Sequence, residues 1–536
     1  MMTRKSTTLD SKYLLKHFWK HTGWTGLLLG IAYQIWNASR IGTYWDFEGD
    51  HSYALVNLAW LENGVDAKEP LFQHLKPYGY ALTYLMWIPP RIYYWIIGVD
   101  FNVAAHGENY LAYRNVFVYL VYLAGVFALA IWFRMVSKAP YYFTIFFTLF
   151  AFPTISGHAF MNAKDVPIFA GVACALALSR TSAMQVDKKS KFLNVLLINL
   201  AVLFILGVRP GATYLLFTIL LLQLWQSRNR RKFLKIVIYG LPSIAYCYLA
   251  SATAMNFGFF WLWETMTSST NFTAWQGTML LWGDAYQTPM SRLYQFGVLL
   301  SQVPIYLVVV TGISSALFIR KNLKSLKSAR KILEILKEPT SLPALIFCLL
   351  MVYVFVSSPM IYDDARQTLF IWALLIPITF TAVSFTSSQL RSKLIFALMV
   401  ILVSLPVIDS FKLAPYTYAY RNELAKMISP NGFETDYWGL SGKESSKWIL
   451  SNLGEESVIV SNPLIVYKSF VPQPWKDLNS PQPNAFIYQQ IRRPFGVPEM
   501  FSECKLLHTI SRKPLIGESM IMGWIRKCDF SQINDK

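Results

Sequence analysis

The chain has 536 residues, of which 54% are apolar and 15% charged, and it carries 18 Trp, 30 Tyr and 37 Phe. Soluble domains carry roughly 25% charged residues, so a disordered chain, a coiled coil, a disulfide scaffold and an ordinary cytosolic enzyme are excluded, and lipid is the solvent that fits. The net charge of +19 comes in short basic clusters between apolar runs. That is the pattern of cytoplasmic loops, and it leaves no nucleic-acid footprint.

Residues 1–20 are basic and lack a small-residue cleavage site, so they read as a cytoplasmic tail before a retained first helix. Spanning helices need about 20 mostly apolar residues. Such runs fall at 22–42, 110–133, 139–157, 166–180, 192–208, 211–225, 236–255, 292–318, 341–357, 366–386 and 393–411. A further run at 77–98 holds Pro89-Pro90 at its middle. A proline pair breaks a spanning helix, so this run is expected to lie on the surface or re-enter, inside a first external loop over 43–109. The basic clusters at Lys188/Lys189/Lys191, Arg230/Arg231/Lys235 and Lys327/Arg330/Lys331 then face the cytoplasm. The expectation is an all-α polytopic membrane domain over 21–411 with about eleven crossings, N-terminus inside and C-terminus outside. From 412 onward Pro, Ser, Asn and charges rise. This predicts a small external α/β domain over 412–536, with an amphipathic helix at 444–453 and a strand at 458–460. Cys174, Cys247 and Cys348 lie in apolar runs and read as packing residues. Cys504 and Cys528 can pair if the C-terminal part is outside.

The unusual polar residues all emerge on one side in this topology. Asp46, Glu48 and Asp50 follow the first helix. A water-facing loop explains them; so does a general base at the interface, for which Asp46 lies nearest the membrane. The stretch Gly157-His158 to Asn162-Ala163-Lys164-Asp165-Val166-Pro167 joins two apolar runs. Asp165 is placed to cap the next helix, and Lys164 departs from the inside bias of positive charge and can hold a phosphate as a point charge. Arg209, in Gly207-Val208-Arg209-Pro210-Gly211, reads as a snorkelling side chain or a second phosphate ligand. Tyr362, Asp363, Asp364 and Arg366 stand at the start of another run, where ionisable groups are costly; an Asp–Arg pair that locks the helix end explains them, and so does an Arg366 that faces an anionic substrate group. Asp436-Tyr437-Trp438-Gly439 reads first as a docking motif.

Together these islands resemble the multi-pass glycosyltransferases of the GT-C fold, the group with protein O-mannosyltransferases and the lipid A aminoarabinose transferases. The Asn162-to-Pro167 and Asp436-to-Gly439 stretches carry the likeness most specifically. The family's Asp-Glu is here Asp46-Phe47, its Arg-His is Arg366-Gln367, and Asp364 stands where the family has Gly. The resemblance implies a GT-C-like fold in a bacterial inner membrane. It also implies a polyprenyl-phosphate sugar donor and inverting transfer to a glycan, lipid or protein acceptor on the external face. In that reading Asp46 is the base, with Asp165 in support. Lys164, Arg209 and Arg366 bind the lipid phosphate, and Glu48, Asp50, His158, Asn162, Tyr362 and Asp363 assist. No cofactor is certain, and a divalent metal stays open. A flippase for a lipid-linked saccharide and a non-catalytic scaffold are the other readings.

Overall fold

The computed structural model describes residues 11–65, 70–137, 140–182, 188–227, 229–270, 277–287, 292–322, 328–338, 340–357, 359, 361–389, 393–453, 459–462, 475–477, 485–493 and 504–528. The protein is a polytopic helical membrane protein with a small C-terminal sheet. Three described helices are long and apolar enough to cross a bilayer: Glu108–Val136, Lys189–Leu206 and Arg366–Thr386. Three bent pairs also pass that test together.

At the centre lies the helix Val166–Thr181, with every residue but Arg180 buried. Its small residues let neighbours approach closely, as polar-poor membrane interfaces require. A Cβ on Gly125 would meet the Ala170 Cα at 2.7 Å. The helices Glu108–Ser137 and Lys188–Leu206 flank it on either side.

Three long apolar runs are not single helices: the run at 236–255 falls in Arg230–Ile238, Leu241–Leu249 and Ala252–Phe257, bent by 94° after Leu249, and the other two break at prolines. The run at 139–157 splits into Tyr141–Phe150 and Pro153–His158, and the run at 292–318 splits into Tyr294–Gln302 and Ile305–Asn322 with a bend of 101°. Each of these two breaks precedes a proline, where the residue before is pushed out of helical conformation. Phe152 stands at φ −128°, ψ 73°, and Val303 at φ −67°, ψ 121°. The converse holds for 77–98. Its helix, Ala81–Ile96, runs through Pro89 and Pro90. Pro90 cannot donate to the Met86 carbonyl, and the Tyr113 hydroxyl donates there instead at 3.0 Å. That outside donor corrects the expectation of a break.

Seven strands are described. The hairpin β1 (Thr278–Leu281) and β2 (Asp284–Gln287) pairs antiparallel. The C-terminal sheet contains β3 (Ile459–Asn462), β4 (Trp475–Asp477), β5 (Ala485–Gln490), β6 (Lys505–Arg512) and β7 (Met520–Cys528) in the order β4-β3-β5-β7-β6. It is parallel at β3–β4 and β3–β5 and antiparallel at β5–β7 and β6–β7. Val458 lies outside the described residues. The amphipathic helix runs over Ser441–Leu453 and packs on this sheet through Ile449 against Tyr488 and Ile525. Cys504 and Cys528 form a disulfide. Cys174 and Cys247 are buried, whereas Cys348 is exposed and is no internal packing residue. Trp261 is buried, the Trp282 indole donates to the Gly297 carbonyl at 3.1 Å, and Trp263 is exposed.

The segment before the sheet is not a solvent-exposed linker. Tyr416, Tyr418, Tyr437 and Trp438 belong to the same core as the membrane helices. A Cβ on Gly157 would lie 2.0 Å from the Tyr418 nitrogen, so only glycine admits this crossing.

Candidate functional site

Four helix ends bring the site together. Asp46 precedes the helix Phe47–Asn63, Lys164 and Asp165 precede Val166–Thr181, Arg209 follows Lys188–Leu206, and Arg366 opens the turn Arg366–Ile371. Arg366 meets the Asp46 carboxylate directly, and Lys164 Nζ lies 3.3 Å from Asp46 Oδ2 and 2.7 Å from Asp50 Oδ1. Arg209 Nη2 lies 2.9 Å from Asp165 Oδ1, and Arg366 Nε lies 3.9 Å from Asp165 Oδ2. Asp363 Oδ2 takes Arg366 Nη1 at 2.9 Å. Asp46, Lys164, Arg209 and Arg366 keep 24%, 17%, 21% and 9% of their side-chain surface open. They are therefore reachable by a ligand, unlike the sealed Arg421–Asp364 pair.

Asn162 shapes the lysine turn. Its Oδ1 accepts from the backbone of Lys164 and Asp165 at 3.2 and 3.0 Å, and its Nδ2 donates to Asp165 Oδ2 at 3.0 Å. Asp165 holds the N-cap position, but its side chain makes no capping bond. The carboxylate is turned to Arg209, which corrects the capping expectation. His158 is buried beneath the site, its Nε2 3.1 Å from the Tyr437 hydroxyl and its ring 6.0 Å from Trp438. Glu48 lies on the helix Phe47–Asn63, with its side chain outside the described set.

Several partners were not legible in the sequence. The Arg366 guanidinium lies 4.1 Å over the Trp438 ring, so the Asp436-to-Gly439 motif docks on the site itself. Arg114 Nη2 contacts Asp50 Oδ2 at 2.5 Å. An arginine inside an apolar run is a flag for function, and that signal would have found it. Tyr78 lies between the lysine and the arginine, its ring 5.0 Å from Lys164 Nζ and 5.3 Å from Arg209. Arg492, from the far C-terminal part, lies 2.5 Å from Asp363 Oδ1 and also pairs with the buried Glu434. Nothing near it in sequence marks it.

Electrostatics separates the two first-loop carboxylates. Burial alone would raise Asp46, but Arg366 and Lys164 outweigh it and hold the carboxyl below the usual carboxylate range. Burial pushes Asp50 up to about 6 against the pull of Lys164, and the charge of Asp46 adds to the rise. Burial opposes the charge on Lys164, yet Asp46 and Asp50 raise its pKa and keep it cationic.

A cavity of about 360 Å³ opens beside this cluster. Its walls are mostly apolar, with Tyr214, Leu350, Val354, Ile361 and Phe370, and Arg209, Tyr362 and Gln367 supply its polar end. Among the described residues no three of His, Cys, Asp and Glu converge, and Asp46, Asp50, Asp165 and Asp363 each meet a Lys or Arg.

No family model matches the chain, and no curated protein matches it. Among solved structures it is similar to ArnT from Cupriavidus metallidurans in the apo state, at 13% identity and a TM-score of 0.45, over 95% of this chain and 98% of that one. It is similar also to the same protein bound to undecaprenyl phosphate, at 14% identity and a TM-score of 0.43, over 94% and 98%.

Proposed function

We propose that the chain is an inverting glycosyltransferase that moves a sugar from a polyprenyl-phosphate donor to a hydroxyl of a glycan, lipid or protein acceptor. The carrying observation is that Lys164, Arg209 and Arg366 converge with Asp46 and Asp165, and that Arg209 carries this cluster to the polar end of a cavity whose walls are mostly apolar. A lipid phosphate needs an apolar channel for its tail and cations for its head. The acceptor oxygen attacks the anomeric carbon from the side opposite the phosphate. The carbon–oxygen bond to phosphate breaks as the new one forms. The acceptor proton passes to Asp46, and the charge left on the phosphate meets the three cations, which stabilise it most as it develops. Asp165 orients Arg209 and Asp363 orients Arg366.

The cluster stands at helix ends. A transporter of a lipid-linked saccharide would place such groups near the bilayer midplane between inverted repeats, so the geometry favours transfer. The Cys504–Cys528 disulfide supports an oxidising, external location for the C-terminal part and the adjoining site. The motif resemblance to GT-C enzymes supports the same reading.

The test is transfer itself. Purified protein in nanodiscs is given a panel of radiolabelled polyprenyl-phosphate sugars with membrane-extract acceptors, and free polyprenyl phosphate is measured for wild type and Asp46→Asn. Release by wild type and its loss in the folded variant support the reading. No release from any donor by folded wild type overturns it.

A further inference from the structure

A second cavity, of about 460 Å³, lies away from this site between the helices Lys188–Leu206 and Arg230–Ile238. It has the size of a small-molecule site, about 300–1,000 Å³. Lys191, Arg231 and Lys235 line it, with Asn194, Asn229 and Tyr239. Among the described residues that line it there are three cations and no carboxylate. Among the described residues none of the three has an acidic partner. Like charges gathered this way repel unless an anion joins them.

Its walls are fixed. Phe233 and Ile236 are buried, and the Asn199 amide donates to the Tyr239 carbonyl at 2.9 Å, tying the two helices together. Lys191 Nζ lies 5.7 Å from the Tyr239 ring. Asn194 is 4% exposed, and its side-chain oxygen has no partner among the described residues. The cavity thus offers three cations to an anion and one buried acceptor to a hydroxyl donor.

Position names the source of that anion. The helix Lys188–Leu206 ends just before Arg209. From Lys191 to Leu206 it rises about 23 Å at 1.5 Å per residue, close to the thickness of a hydrocarbon core, about 30 Å. The cavity therefore lies at the membrane surface opposite the transfer site. We propose that it binds the headgroup of an anionic glycerophospholipid, with the phosphodiester held by Lys191, Arg231 and Lys235 and a headgroup hydroxyl donating to Asn194. Basic pockets between spanning helices recognise lipid phosphates in this way. This site does not depend on the transferase reading.

The experiment compares lipid retention by native mass spectrometry after release from nanodiscs of equal phosphatidylglycerol and phosphatidylcholine. Wild type should retain phosphatidylglycerol selectively. The triple variant Lys191→Ala, Arg231→Ala, Lys235→Ala should weaken retention about 100-fold, since each cation at a lipid surface contributes about fivefold. A charge-matched control, Arg330→Ala, Lys331→Ala, Lys337→Ala, removes three cations from the exposed helix Ala329–Lys337 and should leave retention unchanged. Asn194→Leu, which alters no charge, should weaken it about fivefold. Equal losses in the two triple variants would reduce the effect to general surface charge and overturn the site. Displacement of the lipid by inorganic phosphate at equal concentration would assign the cavity to a soluble anion and overturn the lipid.

Discussion

Asp46 and Asp50 stand one helical turn apart, the Asp50 amide donating to the Asp46 carbonyl at 2.9 Å, and both carboxylates face Lys164. Their surroundings drive them apart. Asp46 is an anion throughout the neutral range, and Asp50, pushed up to about 6, titrates near it. If Lys164 must be shared with an ionised Asp50, transfer rises as pH climbs through about 6 and falls below it. Asp50→Asn should flatten that acid limb of kcat/KM, and Asp46→Asn should cost about 10²–10⁴ in kcat at every pH. A limb that survives in Asp50→Asn would assign it to another group. Two residues further along the site, Asp363 and Asp364 both stand at positive φ, 58° and 57°. The GT-C pattern has glycine at the second, which is the residue that conformation suits. Asp364 tolerates it by pairing with buried Arg421. Asp364→Gly would relieve about 1 kcal/mol of strain and leave Arg421 unpaired at a cost of about 3 kcal/mol. The melting temperature should therefore fall, and Asp364→Gly combined with Arg421→Met should recover most of the loss.

Single helices carry the next level of sensitivity. Pro153–His158 crosses the segment Thr417–Ala419 so closely that Gly157→Ala forces the two apart. Overpacking costs about 1–3 kcal/mol. Because His158 follows Gly157 and bonds Tyr437, that displacement should also loosen Trp438 from Arg366. Gly157→Ala should lower thermal stability and transfer together, and a stable, fully active variant would show that the crossing can yield. Helix existence was legible from apolar runs, and the Lys164–Asp165 and Arg366 islands were legible because charges beside apolar runs stand out. Helix breaks were not. Pro304 sits inside a run apolar enough to look continuous, whereas Pro89 and Pro90 look like a break that Tyr113 repairs from another helix. Hydropathy sees neither the ψ angle before a proline nor a donor supplied from elsewhere.

At the scale of the whole molecule, the site is closed by the part of the chain furthest from it in sequence. Glu434 is fully buried, accepts the Leu280 amide at 3.2 Å and the Arg493 guanidinium at 3.1 Å, and pairs with Arg492, which reaches Asp363. The order is hairpin, Glu434, Arg492, Asp363, Arg366, and no local pattern announces it. Glu434→Gln keeps the size and the acceptor for Leu280 but removes the charge that Arg492 and Arg493 share. Breaking a buried ion pair costs about 3–5 kcal/mol, so the variant should melt lower. Arg492 should then draw more strongly on Asp363, and Arg366 should lose part of its hold. If the C-terminal part positions Arg366 for the developing phosphate charge, kcat should drop roughly tenfold while the donor KM stays within about twofold. Glu434→Asp should restore part of kcat. A KM rise with kcat unchanged would instead make this clamp a determinant of donor binding, and an unchanged enzyme of lower stability would leave it a purely structural fastening between sheet and membrane helices.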